Sequence, residues 1–312
     1  MTEEINRERY YNWIFSVLQM HLLKLSERKN MKEFKCRIIV IYIGIFLFFG
    51  STAFAQYESN YQSGEFGIQV GAAHYFGDLN TTSKLKSPHP ALGIFFRKQL
   101  NNYAALRLAI NFTNLSYSDK LQTQNEFQRR RNLDFKTTLW EFLLQGDFNF
   151  FRFNPNDPYE RFTPYLTFGV GAFYYNPYTF LDGTKYYLRP LGTEGQNSPN
   201  TSSKEYNSIA VCIPVGFGFK WNVSRKMNMH IELTHRFTTT DYLDDVSGNY
   251  AGADAFFSDT PAFYLQDRSY ETGTPIGIEG SQRGFKANKD QYIMATFGIT
   301  YNFSSYRCPT SN

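Results

Sequence analysis

The 312 residues carry 32 Lys and Arg against 28 Asp and Glu, a formal net charge of +4. No Lys/Arg-rich face or recognition motif accompanies that balance, which argues against nucleic acid as a partner. Aromatic residues make up 18% of the chain, with 23 Tyr and 31 Phe, a density that is high for a cytosolic enzyme and suits the interfacial girdles of a membrane barrel.

The N-terminal region reads as an export signal. Lys32, Lys35 and Arg37 precede an apolar run from Ile38 to Phe49, and Gly50 to Ala55 supplies the small-x-small end, so cleavage is expected after Ala55. The apolar run is too short for a comfortable membrane span. Met31 opens this signal (31–55) in the usual way, whereas residues 1–30 sit awkwardly ahead of it and read as an over-extended start or a removed leader. Cys36 lies before the apolar core and so is not a lipoprotein cysteine; Cys212 and Cys308 show neither a disulfide framework nor metal-ligand spacing.

Residues 56–64 form a polar lead-in to a barrel expected over 65–303. Glu65 to Gly77 alternates, with Phe66, Ile68, Val70 and Ala72 on one side and Gly67, Gln69, Gly71 and Ala73 on the other. Ala91 to Lys98 and Tyr103 to Phe112 form two further alternating runs joined by Leu100-Asn101-Asn102, an antiparallel hairpin. A polar loop is expected from Ser116 to Lys136, including Arg129, Arg130 and Arg131. The clearest strand follows: Trp140, Phe142, Leu144, Gly146, Phe148 and Phe150 share one parity, while Glu141, Leu143, Gln145, Asp147 and Asn149 share the other. A strand of about 9–11 residues, apolar toward lipid and polar toward the lumen, is the signature of a transmembrane barrel.

Tyr165 to Tyr174 is the fifth strand, and a long Gly/Pro/Asn-rich loop runs from Asn176 to Asn207. Ile209 to Trp221 is the sixth, with Pro214 expected to introduce a bulge or kink. Met227 to Phe237 and Tyr292 to Phe303 are the seventh and eighth, separated by the longest loop, and 304–312 is a short tail. No helical period interrupts the series after residue 56. Short connections alternate with long ones, the asymmetry of periplasmic turns and outer loops. The expected fold is therefore all-β: an eight-stranded antiparallel transmembrane β-barrel behind a cleavable signal, or ten-stranded if the last long loop hides a hairpin.

The inward parity supplies Arg107, Glu141, Asp147, Lys220, Glu232 and Arg236. The interior of an eight-stranded barrel is about filled by its own side chains, and buried charges need partners, so these residues are expected to form a lumenal charge network rather than line a pore. His230 and Glu232 share that face, but no Ser stands two residues from His230 on its parity, which disfavours a hydrolase site. Asp241, Asp244 and Asp245 cluster after the seventh strand. Grouped carboxylates can bind a divalent cation or a partner, but the spacing matches no calcium loop, and a cap on the strand end is expected instead. The Arg129–Arg131 run could meet lipopolysaccharide phosphate, against a default of a solvated loop face.

RFTTTDYLDDVSGNY (Arg236 to Tyr250), AAHYFGDLN near the first strand, PYLTFGVGAFYYNP and the terminal FGITYNF together resemble a family of outer-membrane barrels. That family includes the PorG-like component of the type IX secretion system of gliding and pathogenic Gram-negative bacteria. The likeness runs from about Glu65 to Phe303, and its most specific part is TDYLDDVS, with Asp241, Tyr242, Asp244 and Asp245. It implies a non-enzymatic outer-membrane barrel that associates with periplasmic ring proteins of the secretion machine, and a short tail after Phe303; no cofactor or metal is expected. Outer-membrane lipid and lipopolysaccharide are the expected surroundings. A lipid-modifying outer-membrane enzyme and a small-solute channel are the alternatives.

Overall fold

A computed structural model describes residues 61–306, apart from 82–83, 156 and 197–204, with side chains described over 64–303. The leader 1–30, the signal 31–55, the start of the lead-in and the last residues of the tail lie outside the described residues.

Alternation builds the wall. The strands are β1 (Tyr61–Phe76), β2 (His89–Gln99), β3 (Ala104–Ser118), β4 (Asp134–Asn149), β5 (Phe162–Tyr174), a small hairpin β6 (Tyr178–Leu181) and β7 (Thr184–Tyr187), then β8 (Ile209–Ser224), β9 (Met227–Thr238) and β10 (Gln291–Tyr306). All wall pairings are antiparallel. Neighbours run β1-β2-β3-β4-β5-β8-β9-β10, and pairing of β10 with β1 closes the ring, so eight strands form a barrel without a free edge. Closure satisfies every wall strand on both sides, which a bilayer interior demands. Along β4, Trp140 is 54% exposed and Phe142 57%, whereas Glu141 is 1% and Leu143 0%; the aromatic parity faces outward and the acidic parity inward, as the alternation requires.

Several expectations are corrected. β1 begins before Glu65 and β10 ends after Phe303. β3 and β4 run well past the expected loop edges at Ser116 and Lys136, pairing out to Ser118 and Asp134, because Tyr117 and Phe135 turn inward and bury. The chain does contain helices: α1 (Glu126–Arg131), α2 (Leu188–Leu191) and α3 (Pro261–Gln266), all in outer connections. They are one or two turns long, too short to show a period; α1 and α3 are fixed by caps, Asn125 accepting from the Gln128 amide and Thr260 from the Phe263 amide. An extra hairpin exists, but it is β6–β7 in the loop expected over 176–207. It hangs from β4 through the Lys136–Tyr178 pairing and does not enlarge the barrel.

Pro214 produces no bulge. Its effect is an interruption of the β5–β8 ladder between the Phe168–Val215 and Gly171–Cys212 pairs, with register retained, which is the consequence of a missing donor. The register shift in β8 falls at Asn222/Ser224, beside the tight turn into β9.

The connections β2–β3 and β8–β9 are short and β4–β5 is a compact turn, whereas β1–β2, β3–β4, β5–β8 and β9–β10 are long and meet at the opposite end. There Leu79, Leu115, Leu133, Leu188, Leu243, Val246 and Leu265 belong to one apolar cluster. The four outer connections thus fold into a cap on the barrel mouth.

Candidate functional site

Two polar constellations stand out: one inside the barrel, one in the cap. Inside, the six charges expected from the sequence are all buried and all paired. Asp147 is the hub. Its Oδ2 lies 2.7 Å from Arg97 Nε and 3.2 Å from Lys220 Nζ, and its Oδ1 lies 3.3 Å from Arg107 Nη2. Arg107 also meets Glu232 at 2.7 Å, and Glu232 accepts a 2.7 Å hydrogen bond from the Tyr165 hydroxyl. Nearer the mouth, Arg236 pairs with Glu141 at 3.1 Å, and Glu141 accepts from Asn111 at 2.9 Å and from Tyr292.

Arg97 and Glu65 complete the set, paired with each other at 2.9 Å, and are absent from the sequence-based network. The signal for both was present: Phe66 and Phe96 point outward, so the period of two sends their neighbours inward. With them the lumen holds four cations and four acids among the described residues, none more than 4% exposed. A water-filled passage would leave such groups accessible.

Glycine makes room for this filling. A Cβ on Gly298 would come within 2.1 Å of the His230 ring, and one on Gly93 within 2.1 Å of Asn111 Oδ1. His230 itself is 1% exposed and stands edge-on to Phe95 at 5.3 Å, so neither it nor Glu232 is open to lipid. A different His–Ser contact occurs at the outer rim, where His89 Nε2 lies 2.6 Å from Ser116 Oγ and 3.1 Å from Ser87 Oγ. Among the described residues no carboxylate orients the ring, so the third member of a nucleophilic triad is not among them.

In the cap, the TDYLDDVS segment is a latch. Asp241 accepts from Ser247 Oγ at 2.6 Å. Asp244 accepts from the Tyr75 hydroxyl and from the Val246 amide at 2.9 Å. Asp245, held at φ 66°, accepts from Thr193 at 2.5 Å and Tyr206 at 2.7 Å. Tyr242 stacks on Tyr206 with centroids 4.5 Å apart. Among the described residues no group of His, Cys, Asp and Glu has the arrangement of a metal site.

Arginines from other loops close the structure. Arg283 meets Glu194 at 3.1 Å and donates to the Asp245 carbonyl at 2.6 Å. Arg131 pairs with Asp119 at 2.8 Å and donates to the carbonyls of Arg283 and Asp78. The three-arginine run is therefore not one face: Arg129 and Arg130 are exposed, while Arg131 is buried inside the cap. Burial without full compensation pushes Asp241 up to about 7 and Asp245 up to about 6. Asp244 and Asp290, which both lie on the Tyr75 hydroxyl, are held well above the ordinary carboxylate range, first by burial and then by other carboxylates.

A closed wall with an apolar outer face and an ion-paired interior defines a bacterial outer-membrane β-barrel, and the outer membrane is where the chain resides. Residues 41–257 match a family model described as "Domain of unknown function (DUF6089)", and the chain belongs to that family. No curated protein matches it. Among solved structures it is similar to Ail of Yersinia pestis, crystallised with the heparin analogue sucrose octasulfate, at 10% identity over 78% of this chain and 99% of that one, with a TM-score of 0.38. It is also similar to neisserial surface protein A at 10% identity over 78% and 98%, TM-score 0.35. OprG from Pseudomonas aeruginosa aligns at 13% identity over 78% and 97%, TM-score 0.32.

Proposed function

We propose that this barrel is a non-catalytic outer-membrane component that acts through its surfaces, binding periplasmic ring subunits of a type IX protein secretion apparatus. The observation that carries the surface reading is the lumen: eight buried charges of balanced sign fill it, which disfavours a solute channel. A lipid-modifying enzyme is disfavoured by the same burial, which removes His230 and Glu232 from lipid, and by the lack of an acid beside His89 among the described residues. What is left to the molecule is its outer wall, its cap and its periplasmic turns. The secretion assignment follows from the resemblance carried by Asp241, Tyr242, Asp244 and Asp245 within TDYLDDVSGNY.

Cross-linking in intact cells followed by identification of the captured proteins tests the proposal. Recovery of ring subunits supports it. Their absence, together with normal secretion in a strain lacking this chain, would sink it.

A further inference from the structure

The periplasmic rim carries a groove of about 560 Å³ whose lining includes Tyr103, Phe150, Arg152, Tyr159, Arg161 and Phe162. It is ordered by backbone hydrogen bonds that tie the β4–β5 turn to the β2–β3 turn. Asn149 donates to the Tyr103 carbonyl at 2.6 Å and Phe153 to the Asn102 carbonyl at 3.2 Å. The Phe151 amide donates to Thr163 Oγ1 at 3.0 Å, so both walls are held from within. The site is preformed and of the size that small ligands and headgroups occupy.

Its chemistry changes along its length. Phe150 and Phe162 belong to the lipid-facing parity; Phe162 stacks on Phe219, Phe150 meets Phe148 edge-on, and all four are exposed. The upper part of the groove is thus continuous with the wall that acyl chains cover. The lower part holds two guanidiniums and one carboxylate. Glu160 is already engaged by Arg152 at 3.0 Å, yet the Arg152 side chain remains 47% exposed, and Arg161 is exposed too. Two guanidiniums at the level where an apolar wall meets water offer planar, charge-assisted donors to a phosphate. Because the one acid in the lining is occupied, a headgroup ammonium finds no free counter-charge there.

We propose that this groove binds an anionic phospholipid of the inner leaflet, with Arg152 and Arg161 on the headgroup phosphate and Phe150 and Phe162 along its acyl chains. The proposal does not rest on the secretion reading, and its test reads lipid retention by the isolated barrel. Barrel reconstituted with equal phosphatidylglycerol and phosphatidylethanolamine is released into the gas phase and its retained lipids are weighed. The expected result is one retained phosphatidylglycerol, reduced about tenfold in the Arg152→Gln/Arg161→Gln double variant. Folding is read separately from heat-dependent gel migration. Should the double variant not fold, Arg161→Gln alone, which leaves the Arg152–Glu160 pair in place, is expected to show a several-fold loss.

Three results overturn the proposal: equal retention of the two lipids, retention unchanged in a folded variant, or binding of inorganic phosphate alone to the wild-type barrel. Capture of a protein rather than lipid by a photo-reactive residue at Tyr159 in lipid-replete vesicles also counts against it.

Discussion

Three cations converge on the Asp147 carboxylate, and the barrel's interior charge balance turns on that one side chain. Arg97, Arg107 and Lys220 all lie within 3.3 Å of it. Removing an acid from a buried network leaves charges uncompensated in a low dielectric, which costs more than the pair contributed. Asp147→Asn is therefore expected to destabilise the folded barrel by about 3–5 kcal/mol, measured by urea titration of refolding in lipid vesicles. A loss below about 1 kcal/mol, the range of a surface ion pair, would contradict the buried-hub account. At this scale the sequence was largely legible. Asp147, Arg107, Glu141, Lys220, Glu232 and Arg236 all sit on the inward parity that alternation assigns them. Arg97 and Glu65 obey the same rule, and reading every strand to its ends would have found them. Which acid meets which base was not legible, because a pairing of residues 32 (Glu65–Arg97) to 125 (Arg107–Glu232) positions apart depends on strand register.

Among the elements, the outer connections differ most from a string of loops. Segments from all four interlock through Asp78, Arg131, Glu194, Asp245 and Arg283. Their titration has a direction. In the cap Asp241 and Asp245 stand raised to about 7 and about 6, against about 3.9 for an exposed Asp. The folded cap therefore binds more protons than the opened one. Its stability from these groups is complete below the unfolded value and is lost as pH rises through about 6 to 7. Arg283 and Lys289 oppose the shift and Glu194 adds to it, without changing its sign. Hydrogen exchange over residues 240–250, corrected for the intrinsic chemical rate, is expected to show less protection at about pH 8 than at about pH 5.5, with the wall strands unchanged. Asp241→Asn, which keeps an acceptor for Ser247 but no proton to lose, should flatten part of that dependence. Equal protection at both values would show that the acids do not govern the cap. None of this was foreseeable from the grouped aspartates alone, because their partners lie in other loops and follow no period.

The whole molecule presents an apolar exterior to lipid and a closed interior to ions. Phe66, Ile68, Val70, Trp140, Phe142, Ile213 and Phe217 are each about half exposed, which is tolerable only under acyl chains. With the lumen filled by paired charges and the mouth covered, purified barrel in a planar bilayer is expected to show no steady conductance. A stable open level of the size of a water-filled pore would overturn the filled-lumen account and favour the channel alternative.

Alternation by itself determined the eight wall strands, the face each turns to lipid, and the inward placement of the charges. A period of two is a local property that survives in any register. Only the tertiary structure decided the extent of β3 and β4, the β6–β7 hairpin, the three short helices and the cap. Those depend on contacts between loops far apart in the chain, where side-chain hydrogen bonds and close packing take over from any repeat.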